Sequence, residues 1–252
     1  MKISVLSSGS KGNTTYVESN GTRILIDAGN TAKYINSALV DIGVDPKSID
    51  AILITHTHVD HISGLKTLLK SINPTIYMTS KMHLQLDFIT NYNFIDSDSF
   101  KIGNVNIKTI KTSHDVDDSL GYILDDGNSS VVYITDTGYI NRKYFDVLCN
   151  KSIYIMESNH DVEMLNNSSY PFMTRKRILS DKGHLSNYDS AKYLSSFIGS
   201  KTKVIILAHL SHENNTYELA LGTLRERLVN DNIKFDNIII SGQNERTELI
   251  EI

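Results

Sequence analysis

One stretch of the chain gathers residue types able to do metal chemistry at close spacing: Thr55-His56-Thr57-His58-Val59-Asp60-His61. Imidazole nitrogens and carboxylate oxygens suit zinc and related divalent ions. The stretch follows Ala51-Ile52-Leu53-Ile54, a continuous apolar run that reads as a buried strand delivering its last residues to a site. Alternate side chains at a strand end project to one side, so His56 and His58 can converge on a single ion. The chain then turns into a helix, and Asp60 and His61, past that turn, can face a neighbouring ion. The rival reading is a solvated His-rich turn. Four ligand types at this spacing behind an apolar strand weigh against it.

Three further candidates stand where strands are expected to end. His114 follows residues 107–113, Asp136 follows residues 131–135 and His209 follows residues 204–208. A single His or Asp after a strand is ordinarily a loop residue. Three in matching places, downstream of the His-rich stretch, argue for a closed site holding two ions.

The elements that must position these groups follow from periodicity. Strands are expected over 2–7, 14–18, 23–27, 51–54, 75–79, 105–111, 120–125, 130–135, 152–156, 203–208, 237–241 and 247–251. Asn20-Gly21 and Asp126-Gly127 supply hairpin turns. Helices are expected over 31–42, 61–70, 141–148, 173–180 and 188–198. Asp45-Pro46 opens one short turn, Ser80 caps another short helix, and Thr216 caps a helix running to about 229. Each half of the chain holds several strands followed by helices, with no linker and no exact repeat. The expected architecture is α/β, one domain over 1–252, with two sheets back to back and helices outside. The small-residue loop 7–13 lacks the order of a phosphate-binding P-loop. It is either a tight connection or a source of N–H and hydroxyl contacts to substrate.

Composition narrows the partners. The chain has 40% apolar and 21% charged residues, three prolines and a formal net charge of −4. That suffices for a substantial core and excludes extended disorder. There is no global basic excess of the kind that grips long nucleic acid; Arg175-Lys176-Arg177 is a short basic cluster only. A bound metal pair would add about +4 locally. The one cysteine, Cys149, allows no intramolecular disulfide and, in an expected helix, reads as a buried apolar group. The first residues are too short an apolar stretch for a signal peptide, and no run approaches a membrane span. The expectation is a cytoplasmic protein with no membrane partner.

The ordered set Asp27, His56-x-His58-x-Asp60-His61, His114, Asp136 and His209 resembles the five motifs of metallo-β-lactamase-fold hydrolases, across nearly the whole chain. The resemblance implies an αββα sandwich of two mixed β-sheets with helices on both outer faces. It implies two divalent metal ions, zinc first and manganese as the substitute. His56, His58 and His114 would hold one ion, Asp60, His61 and His209 the other, and Asp136 would bridge them. Asp27 would hydrogen-bond the ligand loop without touching metal. His58 separates the chain from flavodiiron proteins, which carry Glu there. Asp136 separates it from the best-known β-lactamase subclass, which places Cys in the second site.

Residues 7–13, 135–139, 157–161, 183–187 and 208–211, with Asn214-Asn215, resemble the YycJ (WalJ) group, near RNase Z and RNase J. Phage anti-Pycsar proteins, which cleave cyclic pyrimidine mononucleotides, share the fold and a similar size. Taken alone, Glu157 reads as a loop or capping carboxylate and His184 as a surface turn. The resemblance to RNase Z makes them a pair beside the scissile phosphate, His184 acting on the phosphate or leaving group and Glu157 orienting it. Asp60 would orient the nucleophile as well as bind metal. His160 stays open, and His83 and His212 read as ordinary residues.

The expected function is a phosphodiesterase acting on a small nucleotide or a nucleic acid: either a cyclic mononucleotide, or DNA or RNA. The absence of an RNase Z arm or an RNase J inserted domain speaks against long RNA. A homodimer lending a loop across its interface could enclose a small substrate. The segments Tyr139 to Tyr144 and Tyr154 to Tyr170 offer stacking groups. The alternatives are a thioesterase or lactonase of the glyoxalase II type, and a metal-binding regulatory protein without turnover.

Overall fold

The computed structural model describes residues 1–252. The chain first lays down β1 (Lys2–Ser7), β2 (Thr14–Ser19), β3 (Thr22–Ile26), β4 (Ala51–Leu53), β5 (Thr75–Met78) and β6 (Tyr92–Phe94). It then crosses to β7 (Ser99–Ile102), β8 (Val105–Lys111), β9 (Leu120–Asp125), β10 (Ser130–Ile134), β11 (Ile153–Glu157), β12 (Val204–Ala208) and β13 (Ile238–Ile240), and returns with β14 (Ile250–Glu251). The first sheet has the order β14-β1-β2-β3-β4-β5-β6 and the second β13-β12-β11-β10-β9-β8-β7. Both are mixed. β1, β2 and β3 pair antiparallel and β3 to β6 parallel. β7 to β10 form an antiparallel meander and β10 to β13 are parallel.

Alternation along the second sheet explains the layers. Val131, Tyr133, Ile153, Ile155, Val204 and Ile206 join the core that contains the first sheet. Their neighbours Val132, Ile134, Tyr154, Met156, Ile205 and Leu207 face the other way, into a separate cluster. Strands with both faces apolar must be covered on both sides. The helices are α1 (Ala32–Asp41), α2 (Val59–Ile62), α3 (Leu65–Leu68), α4 (Ser80–His83), α5 (Phe145–Leu148), α6 (Val162–Asn167), α7 (Phe172–Ile178), α8 (Asn187–Phe197) and α9 (Tyr217–Asn230). α1 and α3 cover the first sheet through Ile35, Leu39, Leu65 and Leu68. α8 and α9 cover the second through Leu194, Phe197, Leu224 and Leu228. This is the αββα sandwich expected from the sequence. No helix is long and apolar enough to cross a membrane.

Several local expectations are corrected. The helix expected over 61–70 starts at Val59 and breaks at Gly64. A Cβ there would stand 1.9 Å from the Asn30 carbonyl oxygen, so the backbone packs where a side chain cannot. Thr79 rather than Ser80 caps α4, its hydroxyl accepting from Met82 N–H at 3.3 Å. Cys149 is exposed and lies past the end of α5. The edge strands β6 and β7 escaped the pattern reading, because β6 is short and mostly exposed and an edge strand needs no apolar alternation on its open side. α6 also escaped it, although Asp161 caps it by accepting from Met164 N–H at 2.9 Å.

Candidate metal centre

Strand ends from both sheets meet at one edge of the sandwich. β3 delivers Asp27, β4 His56 and His58, β8 His114, β10 Asp136 and β12 His209, while Asp60 and His61 ride on α2 and Glu157 closes β11. Asp27, Asp136 and His209 share an unusual backbone, with φ of 61°, 55° and 56°. Left-handed backbone at a residue with a Cβ costs about 1–3 kcal/mol and persists where its surroundings enforce it, often at functional sites.

Three imidazoles form one end of the cluster. His58 Nδ1 lies 3.1 Å from His56 Nε2 and 3.2 Å from His114 Nε2. His56 Nδ1 faces the Thr55 hydroxyl at 3.0 Å and His114 Nδ1 faces the Gly183 carbonyl at 3.3 Å. With Nδ1 turned to those oxygens, both Nε2 atoms point inward. Zinc–nitrogen bonds of about 2.0–2.1 Å in a tetrahedron put neighbouring donors roughly 3.3 Å apart, which is close to the spacing found.

The other end is richer in carboxylates. Asp60 Oδ2 is 3.5 Å from both His61 Nε2 and His209 Nε2. Asp136 Oδ2 is 3.2 Å from His61 Nε2, and its Oδ1 is 3.5 Å from His209 Nδ1 and 3.8 Å from His114 Nε2, so Asp136 reaches toward both ends. Asp136 Oδ2 and His209 Nε2 are buried with no hydrogen-bond partner, an arrangement that costs stability unless a cation satisfies them. The donor set therefore fits a metal.

Two buried carboxylates hold the rings from behind. Asp27 Oδ2 faces His61 Nδ1 at 2.7 Å and also accepts from the Thr55 hydroxyl, while Oδ1 accepts from Thr55 N–H at 2.8 Å. Asp27 thus fastens the ligand loop, as expected. Glu157 Oε1 faces both His184 Nδ1 and His209 Nδ1 at 2.8 Å, and Oε2 accepts from the N–H groups of Thr137 and Leu185 at 3.0 Å. Burial pushes Glu157 up, but His184 and His209 beside it hold its carboxyl down at about 2. Burial likewise opposes ionisation of Asp136, which His209 and His61 hold well below the usual carboxylate range. Asp60, also desolvated, is lowered by His209 and His61. Burial opposes the charge on His209, yet Asp136, Asp60 and Glu157 raise it to about 10. Asp136, Asp60 and Glu157 are ionised and call for positive charge among them, whether protons on histidines or a cation.

The cluster opens into a cavity of about 430 Å³ whose walls include Lys11, Tyr170, Arg177, His184, His212 and Gln243. His212, expected to be an ordinary residue, lies on this wall. Tyr170 lines the cavity too, whereas Tyr154 is a core residue donating to the Leu148 carbonyl at 2.7 Å. His83 packs against Tyr92 and Phe94, away from the cluster. His160 is buried with neither ring nitrogen paired. Burial lowers it to about 4, which keeps it neutral.

Four residues around the cluster had roles that went unread in the sequence. Asn13 Nδ2 donates to Asp60 Oδ2 at 3.2 Å and its N–H to the Asp60 carbonyl at 2.7 Å, so the loop 7–13 is tied to the ligand helix. Gly29 permits that approach: a Cβ there would stand 1.7 Å from the Asp60 carbonyl oxygen. Thr55, beside the His-rich stretch, links Asp27 to His56. Asp115 sits 3.3 Å from His114 Nε2 and 3.5 Å from His58 Nε2. Its adjacency to His114 was the available signal.

Residues 22–209 match the family model described as the beta-lactamase superfamily domain. The chain belongs to the beta-lactamase superfamily. Within that superfamily it is 38% identical over 236 residues to the exodeoxyribonuclease WalJ of Streptococcus pneumoniae, covering 90% of this chain and 88% of the relative. A shorter match, 43% over 54 residues and 21% of each chain, is to the anti-Pycsar protein Apyc1 of Saccharibacillus brassicae. Among solved structures, the metallo-beta-lactamase fold protein YhfI from Bacillus subtilis superposes with a TM-score of 0.75 at 18% identity, covering 98% of both chains. That likeness shows the superfamily fold. The His and Asp clusters, set in this superfamily fold, form a divalent-metal site.

Proposed function

We propose that the chain is a zinc-dependent phosphodiesterase with a two-metal centre, hydrolysing phosphodiester bonds of nucleotides, with DNA ahead of a cyclic mononucleotide. In this reading His56, His58 and His114 hold one ion, Asp60, His61 and His209 the other, and Asp136 lies between. When bound, the ions supply Lewis acidity and bring a water's pKa to about 7. The supporting observation is the sharing of Glu157 Oε1 by His184 and His209, each at 2.8 Å. His209 belongs to the ligand set, but His184 lies beside it on the cavity wall. With Nδ1 held by Glu157, His184 keeps Nε2 free to stabilise phosphate oxygens or give a proton to the leaving oxygen. Asp60 orients the attacking water by accepting its hydrogen. Thioester hydrolysis expels a stable thiolate and gains less from such an acid. The nearly full-length likeness to a DNA exonuclease, against a short match to the anti-Pycsar protein, supports DNA as the substrate.

A substrate panel on metal-loaded protein tests the proposal. It contains a chromogenic phosphodiester, cyclic mononucleotides, single-stranded and duplex DNA, RNA and a thioester. Hydrolysis of the diester and DNA is expected. Turnover confined to the thioester would overturn the reading, and bound metal without any turnover would favour a regulatory role.

A further inference from the structure

The basic cluster Arg175-Lys176-Arg177 takes no part in the chemistry above, yet α7, which carries it, forms one wall of the cavity through Thr174, Arg177 and Ile178. Its three cations differ. Arg175 donates to the Asn166 carbonyl and ties α7 to the end of α6. Lys176 is exposed and off the cavity wall. Arg177 turns toward the centre, and its Nη1 donates to Asp115 Oδ2 at 2.6 Å. Asp115 Oδ1 in turn stands 3.3 Å from His114 Nε2 and 3.5 Å from His58 Nε2. One carboxylate thus spans the gap between the guanidinium and the ring nitrogens of the three-imidazole end.

A guanidinium carries five N–H donors in a planar fork. Asp115 occupies one of them, and the Arg177 side chain remains 53% exposed. The free donors suit a phosphate, which takes such a fork bidentately. Their place matters more. A phosphate being cleaved must sit among the ligand nitrogens, while the guanidinium is displaced from them by the width of Asp115.

We infer that Arg177 binds the phosphate next to the scissile one, with Asp115 as its positioning residue, so that the site selects substrates bearing at least two phosphates on one nucleotide backbone. The inference rests on the phosphodiesterase reading and deepens it by naming the substrate class. A cyclic mononucleotide, with one phosphate, gains nothing from Arg177.

The test is calorimetric titration of zinc-loaded protein with thymidine 5′-monophosphate and thymidine 3′,5′-bisphosphate, with metal content measured on every variant. The native protein binds the bisphosphate more tightly, by about tenfold or more for one charge-assisted contact. Arg177→Ala removes most of that preference with metal content unchanged. Arg177→Lys, which keeps charge but not the fork, retains part of it, and Asp115→Asn reduces it. Equal affinity of the native protein for both ligands overturns the inference. So does a preference that survives in Arg177→Ala, or one abolished by Lys11→Ala alone. Equal weakening of both ligands in Arg177→Ala also overturns it, since Arg177 would then serve the scissile phosphate. An Arg177-dependent preference in a protein that cleaves no phosphodiester keeps this inference and defeats the phosphodiesterase reading, which separates the two failures.

Discussion

The two ends of the metal centre are built on different electrostatic plans. At the three-imidazole end the partners behind two of the rings are neutral, the Thr55 hydroxyl behind His56 and the Gly183 carbonyl behind His114, and the Asp115 carboxylate stands off at 3.5 Å from His58 Nε2. At the other end they are the buried carboxylates Asp27 and Glu157, behind His61 and His209. A carboxylate behind an imidazole makes it a more basic ligand and fixes its orientation more firmly than a neutral acceptor does. At the imidazole end only His58 is partly exposed, its side chain at 36%, while His56 and His114 are buried like His61 and His209. In the two-ion centre proposed above, the carboxylate-backed end is the one built to retain its ion, and the imidazole end, next to Asp115 and Arg177, is the more exchangeable one.

The largest expected effect abolishes the contrast. Asp136 reaches both ends, so Asp136→Ala should lose metal from both and reduce turnover well beyond the roughly 10–100-fold typical of outer partners, as read by elemental analysis and diester kinetics. His58→Ala should break one end only, eliminating turnover while about half of the bound metal remains; full metal content in this variant would contradict the assignment. His184→Ala removes no member of either proposed ligand set. It should keep its metal and lose roughly 10²–10⁴-fold in kcat, and wild-type turnover would remove His184 from the chemistry. Glu157→Gln should cost about 10–100-fold in affinity for the second ion, leaving the first ion's affinity little changed. Chelator titration reads that difference directly.

The smallest effect is a pH dependence of the metal-free protein. Glu157 is held at about 2 against an ordinary 4.5. Its charge therefore stabilises the fold above 4.5, and that contribution is lost as pH falls through about 2. His209, raised from 6.5 to about 10, acts in the opposite sense. It stabilises below 6.5 and loses its effect as pH rises through about 10. Thermal melts of chelator-treated Glu157→Gln should show a flatter acid limb than the native protein, and an unchanged limb would remove Glu157 as its source.

What the sequence revealed depended on whether a signal was local. His56, His58, Asp60 and His61 are contiguous, and the runs before His114, Asp136 and His209 mark buried strands, so residue and element pointed to the same place. The succession of several strands and then helices in each half likewise made the back-to-back sheets legible. Asn13 and Arg177 were not legible as members of the centre, because their partners lie 47 and 62 residues away in the contacts Asn13–Asp60 and Arg177–Asp115. The break at Gly64 was hidden for the same reason, since only the fold brings Asn30 against it. Glu157 looked like a loop carboxylate; its buried position between two imidazoles exists only when β10, β11 and β12 are aligned.

The left-handed backbone at Asp27, Asp136 and His209 bears on the protein's history as well as its chemistry. Selection for hydrolysis maintains side chains at positions where glycine or asparagine would relieve the main chain. A descendant freed from that selection should drift at these three positions early, becoming easier to fold as it loses its reaction. Conversely, in a gene library screened for thermal stability alone, replacements at these positions should be enriched among inactive survivors.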